Sequence, residues 1–493
     1  MAAHFDDKHV FTRKHIDYLM GSITGKTLGE VDVSHVFDIA KEKPKVTGIA
    51  GDVVEQSVLG FPADSRQEPD IIVDGEEVEL KTTGLRLSKK DQGLEGKEPM
   101  SITAVSVDTI AEETFYTSKF WHKLKKLLIV YYLYDSSKTV PAGEYAGFPV
   151  KGYQFHTFSP DEEEMLKNDW QLVHDYIVKV QVESKTREEL AEGYAKLSSA
   201  LRSDLLMIDT APKYPHPPRF RLKRSVVTFM ARKVFGDGLE MLPGSFSSFD
   251  ELDHRLHDAT TLYRGKKLKE VFCLLGLTGK IEAKNAAERM LVAIFGGKGK
   301  LNDIDLFVKT GIKVKSMVLS QSGGRTEDMK LCRIDFDELT SCEDYDESLL
   351  RDYLGSAFII AMFRETRGDG SGSKYSFGEN EFLGFKRFAF DDQFVEGEAK
   401  IVWEECRGLI RDDELREVPV CRKGTTQPII NKSGTIKVAL NFPKSREHIL
   451  FVRGGGSDAR NKPECVNGIR MYLQYFWVKG SFMAERLGGE EWI

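Results

Sequence analysis

From Val78 to Thr82 apolar and polar residues alternate one by one, and just upstream lies the apolar run Ile71-Ile72-Val73, so 70–82 reads as two strands. Asp74-Gly75 sits between them. Asp-Gly flanked by strand-like runs is the strongest short-range hairpin signal, because a two-residue loop of this kind needs positive φ at its centre. Counting outward from a Val73/Glu76 pair sets Asp70 opposite Glu79. Strand alternation then sends Glu79 and Lys81 to one face and turns Val78 and Leu80 toward a core. Elsewhere the pattern predicts a helix over 51–59, a strand over 101–107 and a buried strand over 124–134. A further helix over 160–176 has Ser159 as N-cap, Pro160 at its first position and Asp161 to Glu164 in its first turn, where acids complement the helix dipole.

The chain has 493 residues, 41% of them hydrophobic and 30% charged, which is enough for two or three ordinary cores. The six cysteines form no Cys-x-x-Cys pair, so neither a zinc module nor a disulfide framework is expected, and the compartment reads as reducing. The first residues are charged and no run approaches the ~18 apolar residues of a membrane span, so the protein is expected in the cytoplasm and off membranes.

Two carboxylates facing across a hairpin have Cβ atoms roughly 4.5–5.5 Å apart and repel unless a cation sits between them. Asp70 and Glu79 are hard oxygen donors of the kind Mg²⁺ takes alongside waters and substrate phosphate, and Lys81 beside them can orient a water or steady negative charge. This is phosphodiester-cleaving equipment. The plain alternative is a solvated charged face, because the acid-x-Lys triplet recurs at Glu95/Lys97, Glu183/Lys185, Glu282/Lys284, Asp328/Lys330 and Glu398/Lys400.

A net charge of −7 does not advertise a nucleic-acid partner, so that case rests on local distribution. From Ala211 to Gly236 there is no acid, while Lys213, Arg219, Arg221, Lys223, Arg224, Arg232 and Lys233 alternate with Tyr214, Phe220 and Phe229. A second basic cluster is Lys119, His122, Lys123, Lys125 and Lys126. Segments of this kind neutralise phosphates and release counterions; the alternative for each is a solvated face.

Internal similarity reorganises these observations. Gly25-Lys26-Thr27-Leu28 returns as Gly265-Lys266-Lys267-Leu268, Trp170 as Trp403, and Phe220-Arg221-Leu222-Lys223-Arg224-Ser225 as Phe476-Trp477-Val478-Lys479-Gly480-Ser481, all in one order. The simplest reading is two copies of one α/β fold, 1–240 and 255–493, joined by a linker over 241–254 around Pro243-Gly244-Ser245. Glu79 then falls on Lys313, Lys81 on Lys315, Glu55 on Leu291 and Lys123 on Tyr353. The second copy keeps the scaffold and loses the acids; its lysines either contact phosphate or reflect drift of a structural repeat. The Gly/Ser-rich stretches 367–373 and 454–457 are expected to be flexible loops.

Gly51-Asp52-Val53-Val54-Glu55, Pro69-Asp70, Val78-Glu79-Leu80-Lys81-Thr82, His122-Lys123-Leu124, Asp169-Trp170 and Phe220-Arg221-Leu222-Lys223 together resemble the ordered motifs of the MutH-type DNA endonucleases. The two-copy length resembles the family's type II restriction enzymes that cut GATC, with an active first copy and a catalytically inactive second. The resemblance implies a restriction-endonuclease-like mixed α/β fold in each copy and Mg²⁺ held by Asp70 and Glu79. It further implies Lys81 and Lys123 assisting water and phosphate, Glu55 beside the metal, and 5′-phosphate products from double-stranded DNA. Ser225, Arg202, Arg453 and Lys479 join Arg219, Arg221, Lys223 and Arg224 as expected DNA contacts, Arg453 because bidentate Arg to guanine is the commonest specific pairing. A methyltransferase protecting the same site is the implied partner in the cell. Two other readings stay open: a methyl-directed repair nicking enzyme, and a non-catalytic DNA-binding regulator.

Overall fold

The computed structural model describes residues 9–43, 48–62, 68–88, 93–211, 216–236, 238–244, 246–281, 285–324, 327–366, 376–422, 424–431, 434–456 and 461–493. The expected loop 367–373, together with Lys213, Tyr214, Ser245 and Ser457, lies outside the described residues.

The chain opens with a short edge strand, β1 (Val10–Phe11), and helix α1 (Arg13–Ile23). Helix α2 (Ile49–Val53) continues directly into a π-helical turn over Val54–Leu59 that stops at Gly60, whose φ of 80° releases the chain. The helix expected over 51–59 is therefore present, but its second half is wound more widely. Strands β2 (Ile71–Val73) and β3 (Glu76–Leu87) follow as an antiparallel pair with Val73 opposite Glu76 and Ile71 opposite Val78. Asp74 and Gly75 between them have φ of 49° and 84°, the positive pair that a tight right-twisted hairpin requires.

Past the hairpin, β4 (Met100–Ala104) joins a separate small sheet, and Ser118 caps helix α3 (Lys119–Leu124). Strand β5 (Leu127–Leu133) runs parallel to β3, with Glu79 opposite Leu127 and Lys81 opposite Ile129, and β6 (Val150–His156) pairs antiparallel on its far side. The sheet order is thus β1-β2-β3-β5-β6. Leu124 closes α3 instead of opening β5, because Ser118 starts a helix there and the buried apolar run begins only at Leu127. From Leu127 to Tyr131 every residue is at most 1% exposed, as expected of a central strand covered on both faces.

Helix α4 (Pro160–Glu183) starts with a reciprocal Ser159/Glu162 capping box and runs on past Tyr176. Strands β7 (Ile208–Ala211) and β8 (Arg219–Leu222) complete the small sheet in the order β4-β8-β7, and α5 (Arg224–Phe235) follows.

A second set of elements repeats this plan. Helix α6 (Phe249–Tyr263), capped by Ser248, starts inside the stretch 241–254 expected to be a linker. After helix α7 (Asp305–Thr310) come β9 (Lys313–Leu319) and β10 (Met329–Arg333), then α8 (Leu349–Leu354), β11 (Phe358–Arg364) and β12 (Glu381–Phe388). Strand β9 is parallel to β11 and β11 antiparallel to β12, the same pattern as β3, β5 and β6. Helix α9 (Lys400–Arg411) follows a π-helical turn, and Trp403 on it is buried as Trp170 is on α4. Strands β13 (Leu450–Gly455) and β14 (Leu473–Val478) order with β10 as β10-β14-β13, and α10 (Gly480–Gly489) ends the set. Gly454 and Gly455 belong to β13, paired with Gln474 and Leu473, so the expected loop is strand at these two positions.

One hydrophobic core crosses the boundary between the sets. Leu85, Ile129, Trp170 and Val227 share it with Leu256, Leu291, Phe307 and Phe363. Each such side chain contributes about 1.5–3 kcal/mol by leaving water, so the sets cannot part without exposing a core. Two further clusters are confined to the first and second set respectively. No helix among the described residues is long and apolar enough to cross a membrane.

Candidate active site

The hairpin delivers Glu79 to the start of the β3–β5 ladder, where its backbone N–H donates to the carbonyl of Lys126 at 3.0 Å. Its carboxylate is 1% exposed. Oxygen Oε1 accepts from Lys81 Nζ at 2.6 Å and from Lys123 Nζ at 3.1 Å, while Oε2 is buried with no hydrogen-bond partner. Buried carboxylate oxygens are costly when left unpaired, so Oε2 marks a place where a cation belongs.

Asp70 lies one residue before β2, and its carboxylate accepts from the N–H of Leu80 at 2.8 Å. That bond fixes it beside Glu79 without a ladder pair of its own. Nδ1 of His9 bonds to the Asp70 carbonyl oxygen at 2.9 Å and holds the backbone from the other side. Burial and then the charge of Glu79 push the Asp70 carboxyl up to about 6, against the opposing pull of Lys81, the Leu80 N–H and Lys123. A divalent ion held by both carboxylates would offset the burial and the repulsion together. Among the described residues no group of three or more His, Cys, Asp or Glu is arranged to hold a metal. The donor set is two carboxylates, which suits an ion that keeps most of its shell as water and substrate oxygen.

The structure thus brings Asp70, Glu79, Lys81 and Lys123 together. Helix α2, which continues into the turn carrying Glu55, packs on β3. His9 escaped the sequence reading because it reaches Asp70 from far away in the chain, where no local pattern marks it.

The neighbouring basic cluster is spent largely on the hairpin. Lys126 pairs with Glu76, while His122 and Lys125 pair with Glu77 at 2.7 and 3.4 Å. These contacts clamp α3 to β3, and so bring Lys123 to Glu79.

The residues expected to touch DNA divide. Arg219 is exposed. Arg221 makes a bidentate pair with Asp209 at 2.6 and 3.1 Å, and Lys223 donates to the Leu205 carbonyl. Arg224 donates to the Gly96 carbonyl at 2.7 Å and pairs with Glu95. Arg202, with its side chain 7% exposed, pairs with Asp392 and Glu396 of the second set. Arg202, Arg221, Lys223 and Arg224 thus each have a partner within the chain. Ser225 has a buried hydroxyl, and Lys479 is a half-buried residue at the start of α10. Arg453 is exposed, pairs with Asp328 at 2.7 Å and lies against the rings of Phe451 and Trp477.

At the corresponding place in the second set the ladder opens with Lys313 opposite Phe358 and Lys315 opposite Ile360. Lys313 and Lys315 lie 5.6 and 5.8 Å from the Tyr353 ring, and Tyr353 stands on α8 where Lys123 stands on α3. Burial pulls the Lys315 ammonium down to about 8. Among the described residues β9 pairs with β11 alone, so no hairpin strand brings a carboxylate to this place.

Residues 59–169 match the family described as DNA mismatch repair enzyme MutH, a span that holds Asp70, Glu79, Lys81 and Lys123. The chain is 24% identical to the type II restriction enzyme Sau3AI of Staphylococcus aureus over 484 residues, covering 89% of this chain and 91% of that enzyme. It is 29% identical to the DNA mismatch repair protein MutH of Actinobacillus pleuropneumoniae serotype 3 (strain JL03) over 160 residues, covering 32% of this chain and 63% of that protein. The span that matches MutH thus carries the hairpin and its converging charges on a mixed α/β sheet, and the similarity to the restriction enzyme runs over most of the chain.

Proposed function

We propose that the chain is a type II restriction endonuclease that hydrolyses double-stranded DNA at a specific site with Mg²⁺, leaving 5′-phosphates. The observation that carries this reading is the unpaired, buried Oε2 of Glu79, beside Asp70 and backed by two lysines on Oε1. Asp70 and Glu79 would hold the ion, which supplies Lewis-acid polarisation of the phosphodiester and a more acidic water. Lys81 and Lys123 anchor Glu79 and place positive charge where negative charge develops in the reaction. Glu55 would stand beside the ion, on the turn that continues the helix packed on β3.

Residues 1–240 form the cutting unit in this reading, and 255–493 form a DNA-binding unit without catalysis, with 241–254 between them. Support for the second role is the exchange of Glu79 and Lys123 for Lys313 and Tyr353, which leaves cations without a metal-binding acid. GATC is the sequence to test first, on the resemblance to the family's two-copy members, and a methyltransferase protecting that site is the implied cellular partner.

The test is a supercoiled, unmethylated plasmid incubated with the pure full-length protein and Mg²⁺, with the ends sequenced. Linear product with fixed ends bearing 5′-phosphates supports the reading. Nicking that stops at the open circle points to a repair enzyme, and no cleavage in any metal points to a regulator; either sinks the proposal.

A further inference from the structure

Several buried side-chain polar atoms lack a hydrogen-bond partner, and four of the residues that own them line one cavity of ≈ 80 Å³ between the two sets of elements. They are Arg202 (Nη1), Thr210 (Oγ1), Ser225 (Oγ) and Arg351 (Nε). Lys223 and Lys313 line the same cavity. Arg202 uses only its other nitrogen, Nη2, on Asp392 and Glu396. Nε of Arg351 lies 3.4 Å from Asp346, an ion pair without hydrogen-bond geometry, and its Nη2 bonds to Glu396 at 3.2 Å. Lys313 has no carboxylate within ion-pair distance among the described residues; its near neighbour is the Tyr353 ring. Thr210 is 1% exposed, so bulk water does not serve its hydroxyl.

Guanidinium and ammonium groups only donate, and each buried donor left unmet costs about 1–3 kcal/mol. The space holds about two or three waters by volume, but a water brings as many donors as acceptors. An oxyanion brings acceptors only. The acids that line the cavity, Asp209 and Asp352, are drawn to cations outside it: Asp209 to Arg221, and Asp352 to Arg224 at 3.6 Å. Asp352 also acts on Lys313, and both acids on Lys223, but neither accepts a hydrogen bond from Arg202 Nη1 or Arg351 Nε, which stay without an acceptor.

We propose that this cavity binds a tetrahedral oxyanion of the phosphate class, which bridges the two sets. Arg202, Thr210, Lys223 and Ser225 approach from the first set, Lys313 and Arg351 from the second. The inference is independent of the nuclease reading. Ser225, Gly311, Lys313 and Asp352 also line a neighbouring cleft of ≈ 810 Å³, through which either a free ion or a phosphate at a DNA end can arrive.

Thermal unfolding of the full chain separates these sources, in sodium phosphate against sodium chloride at equal ionic strength. A parallel arm adds short duplexes lacking any cut site, with and without a 5′-phosphate, in metal-free buffer. The expected result is a rise of several degrees in Tm with inorganic phosphate at millimolar concentration. Calorimetric affinity for phosphate should then fall tenfold or more in Thr210→Val and in Lys313→Met, both of which stay folded in chloride. Protection by the 5′-phosphorylated duplex alone, lost in the same variants, keeps the site and assigns it to DNA ends. Equal Tm with and without phosphate in every arm, or phosphate protection unchanged in both variants, overturns the proposal.

Discussion

The carboxylate of Asp70 accepts the backbone N–H of Leu80 at 2.8 Å, so the first acid of the site is tied to the residue that follows the second. This bond replaces a ladder pair and aims Asp70 at Glu79 although β2 begins only at Ile71. Asn in place of Asp70 retains an oxygen to accept that N–H but removes the charge. Asp70→Asn is expected to lower plasmid cleavage on the order of 10²–10³-fold, comparable to deleting one preorganised electrostatic group. Its metal-free Tm should not fall, because the repulsion with Glu79 goes too. A variant that cuts at the parental rate would remove Asp70 from the chemistry.

Lys81 and Lys123 share one oxygen of a buried carboxylate, so neither is expected to act independently. Lys123→Met leaves Glu79 with one cation and should cost about 1–3 kcal/mol of stability besides slowing cleavage. Lys81→Met, at a more exposed lysine, should cost less. The double variant should show a coupling of about 0.5–3 kcal/mol in urea unfolding. Strict additivity would mean that the lysines do not meet on Glu79.

Why the hairpin was legible and the partners of the basic residues were not is a question of range. Asp74-Gly75 encodes its own φ angles, and those angles fix the register that carries Glu79 and Lys81. Ser118 and Ser159 likewise declare their helices locally. By contrast, Arg202 meets Asp392 and Glu396 across the two sets, and Lys223 meets the Leu205 carbonyl through a chain reversal. A run of basic residues records charge but not the partners that the tertiary fold brings to it. Within 241–254, too, Ser248 caps a helix whose apolar face joins the core shared by both sets, a contact that no local pattern marks.

Asp169 illustrates a role that the helix-dipole reading of α4 did not reach. Its carboxylate is 1% exposed and accepts the N–H groups of Leu206, Met207 and Ile208 at 2.8, 2.7 and 3.0 Å, so it pins the entry to β7. Asp169→Ala orphans three buried donors and should cost about 3 kcal/mol or more, read from the urea midpoint. Asp169→Asn, which keeps one acceptor oxygen, should fall between the two. A loss below 1 kcal/mol in the alanine variant would show that water replaces the carboxylate there.

His156, at the end of β6, gives the fold an acid-sensitive element. Burial pulls its pKa from the ordinary 6.5 down to about 4; Glu162 opposes this shift and Lys233 adds to it. The unfolded chain therefore takes up a proton below pH 6.5 that the folded chain refuses until about pH 4. Stability from this group is complete above 6.5 and is lost as pH falls through that window, at up to about 1.4 kcal/mol per unit. Asp169, raised to about 6 chiefly by burial, works in the opposite sense and gains stability as pH falls through 6. Because Asp169 is common to both proteins, comparing wild type with His156→Gln cancels its contribution. Urea midpoints between pH 4 and 7 should show the wild type losing stability relative to the variant as the solution is acidified. Parallel curves would assign the acid sensitivity to other groups.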